Sequence, residues 1–246
     1  MTDLAIVGGT GLTALADLQI TERIIVHTHY GAPSGPVTHG VLFGKNVMFL
    51  PRHGYGHTIP PHKINYRANM WALKEAGAKK VIAVAAVGSI NKAYSPGDIV
   101  IPDQIIDYTW SRIHTYFEEG LQRVTHIDFT DPYSTDLRRL IIEAAVAAGV
   151  KTGNSGVYGA TQGPRLETAA EINRMERDGC DLVGMTGMPE TALARELGLE
   201  YATCAVVANR AAGRGDGGIL LQDIEKYLKK GTDAVAKILD KLVKKL

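Results

Sequence analysis

The chain has 246 residues, 45% of them hydrophobic and 22% charged, which suits a globular protein with material for one sizeable α/β core. Its formal net charge is +1, so electrostatics give no argument for nucleic acid or a membrane surface as partner. Only two cysteines occur, Cys180 and Cys204, each in an apolar stretch and neither in a CxxC pattern, which predicts buried, reduced thiols in a cytoplasmic protein.

The start, MTDLAIVGG, carries an acid and no basic run, and its apolar stretch stops at Gly8, so no signal peptide is predicted. Short runs rich in valine and isoleucine read as strands: Leu4 to Val7, Ile24 to His29, Val47 to Leu50, Val81 to Val87, Asp98 to Ile101, Gly156 to Ala160, Asp181 to Met185 and Ala202 to Val207. The longest strongly apolar run, Val81 to Val87, is too short to cross a bilayer. Segments of helical period alternate with them: His62 to Ala76, Asp136 to Ala148, Thr168 to Asp178, Glu190 to Leu197 and Gln222 to Leu246. Gly77 and Gly149 end the first two. Several strands are apolar on both faces. The pattern predicts α/β architecture over residues 1–246 as a single domain, with a central, twisted, mixed and largely buried sheet flanked by helices on both sides.

Two segments carry alternatives. AAGRGDGG, from Ala211 to Gly218, reads either as a mobile cover for a ligand or as a plain connector. The last helix sets Ile224, Leu228, Val235, Ile238, Leu239 and Leu242 among lysines. A basic amphipathic helix can lie on a membrane, but a core-packing helix with solvated lysines is the simpler reading.

The first strand runs into Gly8-Gly9-Thr10-Gly11-Leu12-Thr13-Ala14, which fits a dinucleotide fingerprint. A dinucleotide site also needs an acid at the end of the second strand, where this chain has His29-Tyr30-Gly31, and the segment after Gly11 is a poor helix. The loop suits a smaller anion better, through converging N–H groups and the Thr10 hydroxyl. Arg52, in Pro51-Arg52-His53-Gly54 after the strand Val47 to Leu50, supplies a cation whose fork matches two phosphate oxygens. His53, His57 and His62 raise the question of a metal, but Gly54, Gly56, Pro60 and Pro61 forbid a helix that would bring two of them together, and none is expected. His27 and His29 are expected to share one strand face.

GGTG, RHG followed by HTIPPHKINYRANMWALKEAG, AAVGSI with PGDIVIPDQIID, GPRLE and GMTGMPE occur in this order from Ile6 to about Leu228. Together they resemble the trimeric purine nucleoside phosphorylase and methylthioadenosine phosphorylase family. The resemblance implies the nucleoside phosphorylase fold and cleavage of a purine N-glycosidic bond by inorganic phosphate, a co-substrate, with no metal or organic cofactor. It implies that Thr10, Arg52, His53, the backbone around Ala85 and Ala86, and Thr186 cradle phosphate. It also implies that Met185 lies under the ribose, with Leu166 beside the substrate. His126, in RVTHIDFTDP, resembles a family histidine that enters the neighbouring subunit's site, which implies a homotrimer or a pair of trimers. Glu167, Asn209 and His53 are the catalytic candidates.

Two positions read the base. Asn209, with Ala211 two residues on in VVANRAAG, stands where the methylthioadenosine branch has an aspartate pair and the 6-oxopurine branch has asparagine. Glu167 matches a glutamate of the 6-oxopurine branch, where the other branch has a small hydroxyl residue. Hypoxanthine carries a proton on N1 that a carboxylate accepts, whereas adenine presents a lone pair there. At the sugar's 5′ end, phosphorylases of inosine and guanosine use a histidine before the last helix, and none follows His126 here. Leu221 and Ile224 offer an apolar lining that suits a methylthio group, and His57 matches a histidine near that end in the methylthioadenosine branch. The expected substrate is S-methyl-5′-thioinosine, cleaved to hypoxanthine and 5-methylthioribose 1-phosphate. Inosine or guanosine remains the first alternative and methylthioadenosine the second. Ala85 and Gly184 depart from the methylthioadenosine branch, which has threonine and asparagine there.

Overall fold

The computed structural model describes residues 3–9, 17–215, 217–218 and 221–246, without the side chain of residue 221. In chain order the strands are β1 (Leu4–Gly8), β2 (Gln19–Ile24), β3 (Val37–Leu42), β4 (Lys45–Pro51), β5 (Lys80–Ser89), β6 (Ile99–Val100), β7 (Gln104–Asp107), β8 (Thr152–Gly153), β9 (Val157–Ala160), β10 (Leu182–Gly184) and β11 (Glu200–Arg210). The helices are α1 (Tyr66–Glu75), α2 (Thr135–Ala147), α3 (Ala169–Arg177), α4 (Gly187–Glu196) and α5 (Leu221–Val243). The strands join one mixed sheet ordered β2-β3-β4-β1-β5-β10-β9-β7, with β11 beside β5 and β6, and β8 beyond β6.

Side-chain alternation divides the core into two layers. Leu4 and Ile6 of β1, Val47 and Phe49 of β4, and Ile82 and Val84 of β5 meet α2 and α5 on one face. Ala5 and Val7, Met48 and Leu50, and Val81 and Ala83 meet α1 and α4 on the other. The expected α/β sheet covered on both sides is the observed one. Leu228, Val235, Ile238, Leu239 and Leu242 of α5 are buried in the first layer, which decides for the core-packing reading of that helix. No helix among the described residues is long and apolar enough to cross a membrane.

Local chemistry sets the helix ends. Asn65, Ser134 and Thr168 accept backbone N–H bonds as N-caps of α1, α2 and α3, and Thr168 forms a full capping box with Glu171. Gly77 and Gly149 follow α1 and α2 with φ of +97° and +66°, the left-handed turn that glycine adopts without strain.

The second strand differs from expectation. Among the described residues Ile25 to His29 join no strand, with only an isolated bridge from Thr28 to Gly31, and β2 lies earlier, antiparallel to β3 at the sheet edge. All six residues of β2 are exposed, so burial placed no apolar pattern there to mark it. His27 and His29 therefore share no strand face, and both are exposed. Strands β3, β7 and β8 carry too little alternation to stand out in the sequence. Both cysteines are buried and free, and burial pushes the Cys204 thiol up to about 12.

Candidate active site

The pairing of β5 creates an opening. One edge of β5 is parallel to β1 from Lys80 to Val84 and antiparallel to β10 at Gly88 and Ser89, so among the described residues no strand pairs with Ala85, Ala86 and Val87 on that edge. Backbone groups point to alternate edges along a strand. The Val84 carbonyl faces the opening, where it accepts from Arg52 Nη1 at 3.0 Å, and the backbone of Ala86 therefore faces it too. A cavity of about 640 Å³ fills this place, bordered by Gly9 after β1, by Arg52 and His53 after β4, and by the ends of β10 and β11. In α/β sheets ligands collect at the carboxyl ends of strands where the topology switches.

Arg52 and His53 form one end of the cavity. Arg52 is 1% exposed and gives Nε and Nη2 to the two oxygens of Glu190 at 2.6 and 2.8 Å. Tyr201 donates to the same carboxylate at 2.8 Å. Burial lowers the affinity of the guanidinium for its proton, but the Glu190 charge and hydrogen bonds outweigh this and raise it above the ordinary value. The fork expected for an anion is thus held by Glu190. The described residues take three of the five guanidinium N–H groups and leave one on Nη1 and one on Nη2. His53 Nδ1 lies 2.8 Å from the Ile59 carbonyl, an acceptor only, so Nδ1 carries the proton. Burial first, and the Arg52 charge second, lower His53 to about 4. Its ring rests on His57 at 4.3 Å between centroids. A Cβ on Gly9 would come within 2.9 Å of the His53 ring and 3.8 Å of Arg52 Nη1, so glycine there lets the chain approach both groups.

Glu167 and Asn209 stand elsewhere around the same cavity. Glu167, just before α3, accepts from the Thr161 hydroxyl at 2.6 Å. Asn209 follows a register shift in β11, a bulge that re-aims a side chain at a strand end. One of its amide N–H groups bonds the Arg210 carbonyl at 2.7 Å, and the nitrogen lies 3.3 Å from where a Cβ on Gly88 would stand. Met185 and Thr186 enter from the β10–α4 turn. Gly184 has a packing reason: a Cβ there would meet the Tyr158 hydroxyl at 2.1 Å, and that hydroxyl accepts from Thr186 N at 3.4 Å.

His57, Ala85, Ala86, Leu166, Ala211 and Ile224 also line the cavity, so the motifs spread along the chain converge. Ile59, Pro60, Pro61 and Ile224 supply apolar wall. Thr10 and the Leu221 side chain lie outside the described residues. His126 is exposed and does not border this cavity in its own chain. Among the described residues no three His, Cys, Asp or Glu side chains are grouped to hold a metal.

Two supporting residues escaped the sequence reading. Glu190 stands inside GMTGMPE, yet nothing local marks it as the partner of a residue 138 positions away. Arg112, 7% exposed, donates to the carbonyls of Met185, Met188, Thr161 and Gln162 at 2.6–3.1 Å. It ties together the two loops that carry Met185 and Glu167. A lone arginine in a loop gives no sequence signal for that role.

The chain that carries this site is similar to known proteins. The sequence model of the Phosphorylase superfamily matches residues 3–244. A probable S-methyl-5′-thioinosine phosphorylase of Pseudomonas syringae pv. tomato is 54% identical over 96% of both chains. One of the same description from Xanthomonas campestris pv. campestris is 58% identical over 87% of this chain and 85% of its own. A solved methylthioadenosine phosphorylase of Schistosoma mansoni in complex with adenine superposes with a TM-score of 0.94 at 30% identity, over 99% of this chain and 91% of that one. The chain belongs to the phosphorylase superfamily, and its fold is the nucleoside phosphorylase fold.

Proposed function

We propose that the protein cleaves S-methyl-5′-thioinosine with inorganic phosphate, releasing hypoxanthine and 5-methylthioribose 1-phosphate. The observation that carries this reading is the convergence of Arg52, Glu167, Asn209 and Ile224 on one cavity. The likeness to two probable S-methyl-5′-thioinosine phosphorylases supports it.

In this reading phosphate sits beside the open edge of β5, held by the remaining N–H groups of Arg52, by Thr186 and the Ala86 backbone, with Thr10 added from the glycine loop, while His53 Nε2, unprotonated, accepts from a protonated phosphate oxygen. A phosphate oxygen forms a bond to C1′ while the bond from C1′ to N9 breaks and its electron pair leaves with the purine. The anion faces the cationic sugar carbon, and no protein nucleophile is needed. Asn209 donates to N7 or O6 as charge grows on the departing ring, and Glu167 accepts from N1–H. Met185 supports the ribose, with Leu166 and Ala211 beside the base. Ile224 meets the methylthio end and offers a 5′-hydroxyl no partner, with Leu221 and His57 expected near that end.

We further read residues 1–246 as one domain, active in the cytoplasm as a homotrimer. The exposure of His126 away from its own cavity supports the role of a residue lent to a neighbouring site. Initial rates of phosphate-dependent cleavage of methylthioinosine, inosine and methylthioadenosine, compared as kcat/KM, test the proposal. A preference for methylthioinosine is expected. Preference for inosine overturns the apolar 5′ site, and preference for methylthioadenosine overturns the roles of Glu167 and Asn209.

A further inference from the structure

Glu167 is held from behind. Thr161 follows β9, and its backbone is clamped on both sides: its N–H donates to the Gly184 carbonyl at 2.7 Å and its carbonyl accepts from Arg112 Nη2 at 3.1 Å. From this fixed position its hydroxyl lies 2.6 Å from Glu167 Oε1 and 3.3 Å from the Gly184 carbonyl. A threonine hydroxyl has one proton. The nearer, charged oxygen takes it, so Oε1 is anchored to the Thr161 hydroxyl. Among the described residues no protein donor reaches Oε2. Thr161 does not border the larger cavity; it lines a neighbouring one of about 450 Å³ that shares Glu167 as its wall. It therefore acts through Glu167 and not on a ligand.

We propose that Thr161 is a positioning residue for base selection: by binding Oε1 it fixes the orientation of the Glu167 carboxylate and leaves Oε2 as the open oxygen that meets the base. This rests on the reading of Glu167 as the residue that meets the base. A base with N1–H fills the open oxygen, while a base with an N1 lone pair leaves two acceptors opposed. Without the hydroxyl, Oε1 loses its donor and the carboxylate is free to turn toward the neighbouring cavity, so the contact loses direction.

The test is the ratio of kcat/KM for methylthioinosine over methylthioadenosine in Thr161→Val, which keeps the shape and lacks the hydroxyl, and in Thr161→Ser, which keeps the hydroxyl. The valine variant is expected to lower the ratio by roughly tenfold, the effect of one hydrogen bond to a charged group. The change should lie in the nucleoside KM, with the phosphate KM unmoved. The serine variant should restore the parent ratio. Thr161→Ala serves the same purpose if the valine protein does not fold. An unchanged ratio without the hydroxyl, or an equal fall with serine, overturns the proposal. Glu167→Gln separates this from the underlying reading. If that variant leaves the ratio intact, Glu167 does not meet the base and both ideas fall; if it collapses the ratio while Thr161→Val does not, only the role of Thr161 is lost.

Discussion

Arg52 and Glu190 are joined by two hydrogen bonds of 2.6 and 2.8 Å, with both side chains withdrawn from solvent. The pair orients the guanidinium so that the two N–H groups not taken by described residues lie on the side of the cavity that Arg52 borders. Removing one partner of such a pair strands a buried charge, which costs about 3–5 kcal/mol. Glu190→Ala is therefore expected to destabilise the protein by about that much and to raise the phosphate KM more than the nucleoside KM. Urea unfolding and phosphate saturation curves measure the two effects. The double variant Arg52→Met with Glu190→Leu should recover much of the stability and none of the activity, because it removes the ion pair without stranding a charge.

His53 gives stability a specific pH dependence. Its pKa falls from 6.5 unfolded to about 4 in the fold, so folding favours the neutral ring. That contribution is complete above about 6.5 and is lost as pH falls toward 4, because the unfolded chain binds the extra proton in this window. The slope from this one group approaches about 1.4 kcal/mol per pH unit. Burial lowers His57 in the same direction. In unfolding measurements between pH 7 and 4, His53→Gln should show a shallower loss than the parent protein.

Asn209→Asp tests the other end of the site. The change replaces an N–H donor by a second acceptor, which suits the donating 6-amino group of an aminopurine and opposes O6 of an oxopurine. The kcat/KM ratio of methylthioinosine to methylthioadenosine should fall by roughly tenfold or more. The carboxylate would also face the Arg210 carbonyl that the amide now bonds at 2.7 Å, so a loss of about 1 kcal/mol in stability is expected as well.

Ile224 borders the cavity from α5. Ile224→His places a polar group where the 5′ substituent is expected, and should raise kcat/KM for inosine relative to methylthioinosine. An unchanged ratio would show that this wall does not meet the 5′ end.

Gly231 sits inside α5, where replacing glycine by alanine ordinarily stabilises a helix by about 1 kcal/mol. Here a Cβ would stand 2.1 Å from Val206 Cγ1 in the sheet beneath. Gly231→Ala should therefore lower the unfolding free energy, by about 1–3 kcal/mol. Adding Val206→Ala should relieve part of the loss, which thermal unfolding of both variants can check.

Much of the fold is legible in the chain because its causes are local. The alternation of Leu4 and Ile6 with Ala5 and Val7 announces a strand buried on both faces, and the observed layers divide those residues in that way. Thr168 and Glu171 mark the start of α3 within four residues. The edge strand β2 was misplaced because solvent on its side chains imposes no pattern. The motifs around Arg52, Glu167, Met185 and Asn209 name candidates, and the fold places these residues around one cavity.

The sequence by itself determined the five helices, the glycine stops of the first two, the buried strands and the residue types available for an anion and a purine. Only the tertiary structure decided that Glu190 occupies the fork of Arg52, that Thr161 stands behind Glu167, that Arg112 ties two loops, and that β5 is left open between β1 and β10. Helix caps and strand periodicity act over a few residues and so leave a local trace. A buried ion pair between positions 52 and 190, or a gap in strand pairing, is an energy between distant segments, and exists only once the sheet has brought them together.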